Sequence, residues 1–171
     1  KRKMAPSIGK RIMTSNKCSL SREIKIGAAI LAAGASIRLG KPKQLISFKG
    51  KSLLQHMIDV MESVDLSDRM VVLGANEKNI RDQIDLKSTQ MISNPQWEEG
   101  MAGSLRMAVE VAIDEKLDAL LVLLSDQPFV NSELLNQLIE GFVPGEEMIV
   151  ASSYGDSLGV PALFDGCYFK K

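Results

Sequence analysis

From Ile26 to Lys43 the chain reads Ile-Gly-Ala-Ala-Ile-Leu-Ala-Ala-Gly-Ala-Ser-Ile-Arg-Leu-Gly-Lys-Pro-Lys, and this stretch constrains the fold more than any other. Its first half carries no charge after Lys25, the pattern of a strand buried on both faces of a parallel sheet. Its second half is small, flexible and cationic. Gly34 and Gly40 permit backbone angles that other residues resist. Ala32, Ala33, Ala35 and Ser36 leave room for a ligand, and Arg38, Lys41 and Lys43 supply positive charge. A parallel strand that ends in such a loop offers backbone N–H groups to a phosphate. Three cations within six residues favour that reading over a plain basic turn. Two phosphate-loop patterns do not fit. The spacing from Gly34 to Gly40 is one residue too long for Gly-x-x-x-x-Gly-Lys-Ser/Thr, and Gly-x-Gly-x-x-Gly is absent.

The rest of the chain alternates strands with helices. Ser52 can cap a helix with Leu53, Leu54, Met57, Ile58 and Met61 facing a core. Arg69–Gly74 reads as a second buried strand, with Gly74-Ala75-Asn76 at its carboxyl end, where open α/β sheets bind ligands. A short helix over Glu77–Ile84 and a weaker strand over Thr89–Ser93 follow. Asn94-Pro-Gln-Trp-Glu-Glu-Gly-Met-Ala-Gly-Ser-Leu105 feeds a helix over Met101–Ile113. Gly100, Gly103 and Ser104 keep that helix's first turn small, either to admit an anion or merely to start a buried helix. Asp118–Leu124 is the longest apolar run, a central strand ending in Ser125-Asp126-Gln127-Pro128. Asp126 stands where ligands gather. It is free to bind a metal, because the next helix, Asn131–Phe142, has its own cap candidate in Asn131. A fifth strand spans Met148–Ser153, and the glycines at 155 and 159 with Pro161 imply a constrained loop into an extended segment. The alternation predicts an α/β fold, three layers, with a mostly parallel sheet.

At 171 residues the chain suits one domain with a single core. No apolar run approaches the length of a membrane span. Cys18 and Cys167 are too far apart for a zinc site or a disulfide framework, and nothing suggests export, so a cytoplasmic protein is expected. His56 is the only histidine and falls in a helical pattern, which excludes histidine triads and two-histidine metal sites. Residues 1–25 hold eight Lys/Arg against one acid, and the remainder thirteen against twenty. Residues 1–24 therefore read as a basic extension, disordered or translated from upstream of Met13, ahead of a domain over 25–171.

Leu31, Ala32, Ala33, Gly34, Ser36, Arg38, Gly40, Pro42 and Lys43 fill the Leu-Ala-Ala-Gly-x-Ser-x-Arg-x-Gly-x-Pro-Lys signature of nucleotidyltransferases without a gap. Within that superfamily the chain most resembles the molybdenum cofactor cytidylyltransferases, relatives of the molybdopterin guanylyltransferases. Asn94, Trp97, Gly100, Met101, Ser104 and Leu105 match the second motif, and Ser125-Asp126-Gln127-Pro128 stands where the family carries its metal aspartate. Gly159, Pro161, Leu163 and Phe164 match a third segment, although the preceding glycine lies one place early. The resemblance covers residues 26 to 169. It implies a Rossmann-like α/β/α fold of the nucleotide-diphospho-sugar transferase type.

The resemblance also implies the chemistry: Mg²⁺-dependent transfer of a cytidylyl group from CTP to molybdopterin, with release of pyrophosphate. Arg38, Lys43 and Asp126 are then catalytic, with Asp126 the Mg²⁺ ligand. Leu31, Ala32, Ala33, Gly34, Ala35, Ser36, Gly74, Asn94, Gly100, Met101 and Ser104 bind the nucleotide, and the pterin lies toward Gly159 and Pro161. The partners implied are CTP (with GTP as the alternative), molybdopterin, and a recipient molybdoenzyme or its maturation factor, with neither nucleic acid nor membrane. Two other readings stay open: transfer to a sugar or polyol phosphate, and a nucleotide-binding subunit that delivers cofactor without turnover. Family members run on past Phe164 into a helix and a Gly-Asp motif that helps hold metal. This chain stops at Lys171, so exposed apolar surface and weak turnover are expected of it.

Overall fold

The computed structural model describes residues 7–8, 23–36 and 40–170. Arg38 and most of the basic extension lie outside the described residues. Strand β2 (Ile26–Leu31) pairs in parallel with β5 (Asp68–Leu73) on one side and with β7 (Ala119–Leu124) on the other. Beyond β5 lies β6 (Gln90–Ser93), also parallel. Beyond β7 the direction reverses: β9 (Ser157–Asp165) runs antiparallel to both β7 and β8 (Ile149–Tyr154). Ser7–Ile8, within the basic extension, forms β1 at the outer edge of β8. The sheet order is β1-β8-β9-β7-β2-β5-β6. The α/β, mostly parallel expectation is met.

β2 and β7 are apolar at every position, and β5 is apolar from Met70 onward, because both faces of the sheet are covered there. Ala28, Ile30, Val71, Leu73, Leu121 and Leu123 face one side. There they meet Leu54, Met57, Ile58 and Met61 of α1 (Leu53–Glu62) and Leu134, Leu135 and Leu138 of α4 (Ser132–Glu140). The intervening positions Ala29, Leu31, Met70, Val72, Leu120 and Val122 face α3 (Met101–Asp114), which buries Ala108 and Ala112 against them. Each fully buried leucine or methionine contributes roughly 1.5–3 kcal/mol, so this alternation fixes the register of the sheet. Ile80 of the short helix α2 (Glu77–Arg81) joins the first face. Ser52 caps α1 by accepting from the Gln55 N–H, and Asn131 caps α4 by accepting from the Leu134 N–H, both as the sequence predicts.

Two hairpins complete the fold. Lys49-Gly50 joins a small hairpin of β3 (Ser47–Phe48) and β4 (Lys51–Ser52), with φ positive at both turn residues. That is the geometry that suits a two-residue hairpin. The segment after β8 is a hairpin as well, turning at Gly155 with φ 65°. Pro161 is tolerated in β9 because the register with β8 shifts between Ala151 and Ser152, so that no ladder bond from Pro161 is needed there. Among the described residues no helix is long and apolar enough to cross a membrane.

Candidate functional site

The parallel strands β2, β5, β6 and β7 all end at one edge of the sheet. Leu31 pairs in register with Leu124, so the loop leaving β2 and the Ser125-Asp126 segment emerge side by side. The Lys43 ammonium crosses the gap and donates to Asp126 Oδ2 at 2.9 Å. The two side chains are 35% and 40% exposed. An ion pair that open to water contributes at most about 1 kcal/mol, so either partner can be drawn to a better ligand.

A cleft of about 180 Å³ lies on the α3 side of this edge. It is lined by Leu31, Ala32, Ala33, Gly34, Lys43, Gly100, Met101 and Ser104, all predicted, and by Trp97 and Leu124, which were not among the candidates. Met101 is 63% exposed, an apolar side chain open to a flat partner. The amino-terminal residue Gly100 has φ 93° and no side chain caps α3. The first N–H groups of a helix have no partner within it, and here they start at the cleft.

The remaining candidates stand around this space. Gly74 lies behind it: a Cβ there would come within 2.5 Å of Trp97 Cβ and 3.0 Å of Ala33 Cβ. Only glycine lets the three loops meet. Asn94 is buried, with Nδ2 donating to Ser104 Oγ at 3.0 Å and Oδ1 accepting from the Gln96 N–H at 3.0 Å. It holds the second loop against α3, and it is not among the cleft-lining residues. Ala35 and Ser36 are half-buried in the first loop, and Ser36 adopts the left-handed conformation with φ 56°. Its hydroxyl accepts the Lys43 N–H at 3.0 Å, and local bonding of this kind offsets the ~1–3 kcal/mol that such a conformation costs. Arg38 is outside the described residues.

Gln44 is a further residue that no sequence pattern singles out. It is fully buried, and its Nε2 donates to the carbonyls of Ala32 at 2.6 Å and Gly34 at 2.9 Å. On the other flank, Gln127 Nε2 donates to the Val160 carbonyl at 2.6 Å and to Tyr154 Oη at 3.2 Å, tying the loop after β7 to the β8–β9 hairpin. Burial pushes the Tyr154 phenol up, against the pull of Gln127 and Ser152. It therefore stays protonated, donating to the Val160 carbonyl at 2.7 Å.

Asp126 offers a hard oxygen donor beside a cationic loop. Among the described residues no group of three His, Cys, Asp or Glu could hold a metal by itself. A lone carboxylate suits a cation such as Mg²⁺ that takes its other oxygens from phosphate and water.

Residues 28–171 match the MobA-like NTP transferase domain. The chain is 32% identical over 133 residues to nicotine blue oxidoreductase of Paenarthrobacter nicotinovorans, spanning 77% of this chain and 64% of that protein. It is 32% identical over 114 residues to the bifunctional protein GlmU of Desulfitobacterium hafniense strain Y51, spanning 66% of this chain and 24% of that one. The matches thus span less than two thirds of these relatives' own lengths. Among solved structures, Rv0371c of Mycobacterium tuberculosis H37Rv superimposes with a TM-score of 0.72 at 28% identity, covering 86% of this chain and 74% of that one. A manganese complex of Rv0371c superimposes with a TM-score of 0.66 at 24% identity, covering 85% of this chain and 73% of that one.

Proposed function

The chain belongs to the MobA-like NTP transferase family, and from that premise we propose that it is a nucleotidyltransferase joining the cytidylyl group of CTP to molybdopterin. The observation that carries this reading is the meeting of Lys43 and Asp126 at the mouth of a cleft lined by the first and second motifs. A terminal phosphate oxygen of the acceptor attacks the α-phosphorus of CTP. A new P–O bond forms, the bond to the β-phosphate bridge breaks, and pyrophosphate leaves with the electron pair. Attack of one phosphate on another is opposed by charge, so catalysis is mainly positioning and neutralisation.

The residues take matching roles. The loop Gly34–Ser36 offers N–H groups to the triphosphate. Lys43 leaves Asp126 for the phosphates, where its charge acts on the transition state, and Arg38 assists by resemblance. Asp126 would hold the divalent cation, which supplies further neutralisation of the phosphate oxygens when bound. The manganese complex of Rv0371c, a protein of similar fold, is in keeping with a divalent cation here, Mg²⁺ or Mn²⁺. Met101, Trp97 and Ala33 shape the side of the cleft for the base, and the acceptor lies toward Gly159 and Pro161 beyond Gln127.

CTP is preferred over GTP because Ala33 crowds a purine where the related guanylyltransferases have glycine. One such methyl is worth ~1–3 kcal/mol, so the preference is moderate. The test is a titration with CTP, GTP and ATP in the presence of Mg²⁺ or Mn²⁺, followed by pyrophosphate release with molybdopterin. Preference for CTP and acceptor-dependent release are expected, and Ala33→Gly should narrow the gap. Equal or better use of GTP overturns the choice of nucleotide. A second reading rests on the 32% identity to a protein named an oxidoreductase. Turnover of a redox substrate with no pyrophosphate released from any nucleoside triphosphate would favour it.

A further inference from the structure

Gln44 sits in the 3-10 turn Lys43–Leu45 and is 0% exposed. It comes into contact with the loop leaving β2 from beneath, through two carbonyls, those of Ala32 and Gly34. A peptide group is planar and trans, so a carbonyl and the N–H of the following residue point in opposite directions. Turning the Ala32 and Gly34 carbonyls onto Gln44 therefore turns the N–H groups of Ala33 and Ala35 away from it. Ala33 and Gly34 line the cleft. Between the two, the Ala33 carbonyl accepts the Ala75 N–H at 3.0 Å, which pins the intervening peptide to the neighbouring strand end. The Ser36 hydroxyl approaches Gln44 Oε1 at 3.5 Å and accepts the Lys43 N–H at 3.0 Å. One buried amide thus sets the direction of two loop N–H groups and is linked to the backbone of the cationic residue that precedes it.

We propose that Gln44 is a positioning residue for the triphosphate of the nucleotide: it fixes the loop with its N–H groups facing the phosphates and does not itself touch the ligand. Glutamine meets the requirement because it brings two donors and one acceptor on a neutral group. A carboxylate there would turn acceptor against acceptor, and an apolar side chain would release both carbonyls. The proposal rests on the nucleotide-binding reading of the cleft and deepens it.

A purely structural glutamine and a positioning one both lower stability when replaced, so the discriminating quantity is which part of the ligand loses affinity. Binding of CTP and of cytidine is measured on the full chain and on Gln44→Met, whose side chain has similar volume. If the parent prefers another base, the corresponding triphosphate and nucleoside are used. CTP affinity should fall about tenfold or more while cytidine affinity stays within about twofold, since each buried group left unpaired is costly. Equal losses for both ligands, or no loss, overturn the proposal. If Gln44→Met does not fold, Ser36→Ala gives the same comparison, with a smaller loss confined to CTP expected and an unchanged CTP affinity overturning it. Gln44→Glu adds a pH readout. Protonation restores one donor, so its CTP affinity relative to the parent should rise on acidification, and a constant ratio counts against positioning. A parent chain that binds none of CTP, GTP and ATP removes the nucleotide reading and this one together. A parent that binds, with variants that lose nothing selectively, removes this one alone.

Discussion

Lys43 has one ammonium, which the structure gives to Asp126 and which the proposed function asks to serve a phosphate as well. Lys43→Ala is expected to leave the melting temperature nearly unchanged, because an exposed pair contributes at most about 1 kcal/mol. Turnover should fall about a hundred- to a thousandfold, the usual result of losing one donor aimed at transition-state charge. Near-normal turnover in the folded variant removes Lys43 from the chemistry. Asp126→Asn keeps the shape and loses the charge that a hard cation requires. Titration with Mn²⁺ and nucleotide should show metal binding lost, with metal-free nucleotide affinity little changed. Gly74→Ala should do the opposite of these surface changes. Its Cβ meets Trp97 Cβ, an atom next to the backbone that cannot swing aside. Overpacking of this kind costs ~1–3 kcal/mol, so thermal stability and nucleotide affinity should fall together. An unaltered melting temperature would show that the second loop can retreat. At this scale the sequence was informative for residues with a local signature. Lys43, Asp126 and the small residues of the first loop announce themselves by charge or by lack of bulk. Leu124 does not, because an aliphatic residue at a strand end reads as packing until the loops are seen to meet, and Trp97 is marked only by its place in the second motif, not by any chemistry of its own. Gln44 is invisible for a different reason: its role depends on being buried under a loop ten residues earlier in the chain, and no local pattern encodes that.

The helices and strands were more legible than the site, because two-sided burial leaves an uninterrupted apolar run and one-sided burial leaves a helical stripe. The errors fall where local rules compete. The helix expected over Glu77–Ile84 ends at Arg81, because its apolar residue Ile80 already meets the core and the following turn carries Asp82 and Gln83 outward. After β8 the sequence implies a constrained loop into an extended segment; the extended segment is β9, but it begins at Ser157, ahead of Gly159 and Pro161, because a register shift makes room for these breakers within the strand. One tie between elements has a pH signature. Asp59 and Glu62 on α1 reach the connector before β6. Burial alone would raise both carboxyls, but they are held low. Bonds from Lys51, Lys87 and Gln55 bring Asp59 to about 2. Ser88, Thr89 and the nearby Arg69 lower Glu62. A carboxyl depressed by folding stabilises the folded state above its unfolded pKa, and that contribution is lost as pH falls through the folded value. The melting temperature should therefore decline between about pH 5 and pH 2, and Asp59→Asn should flatten part of the decline. An Asp59→Asn profile parallel to that of the parent would show that these bonds form equally in the unfolded chain.

Across the whole molecule the two edges of the sheet do different work. At the amino-terminal edge the strands are laced together. The Lys25 N–H donates to Asp118 Oδ2 at 2.9 Å, the Asp118 N–H donates to the Lys25 carbonyl at 2.7 Å, and the Gly166 N–H donates to the Asp118 carbonyl at 2.7 Å. Arg69 binds the Val64 and Leu66 carbonyls at 2.6 and 3.1 Å there. At the carboxyl-terminal edge lie the cleft, the exposed ion pair and the exposed Met101. Single substitutions should sort accordingly when abundance in cells and activity are scored separately. Arg69→Ala and Asp118→Ala should lower abundance, while Lys43, Asp126 and Met101 variants should lower activity at unchanged abundance. Mixing of the two sets would mean that the edges are mechanically coupled. The separation bears on ancestry as much as on stability. A lineage can exchange one acceptor for another by rewriting the rim of loops around the cleft, and the strands beneath need not be altered to permit it. Relatives with unlike chemistries are then the natural outcome of a scaffold whose foundations and whose vocabulary sit at opposite ends of the same strands.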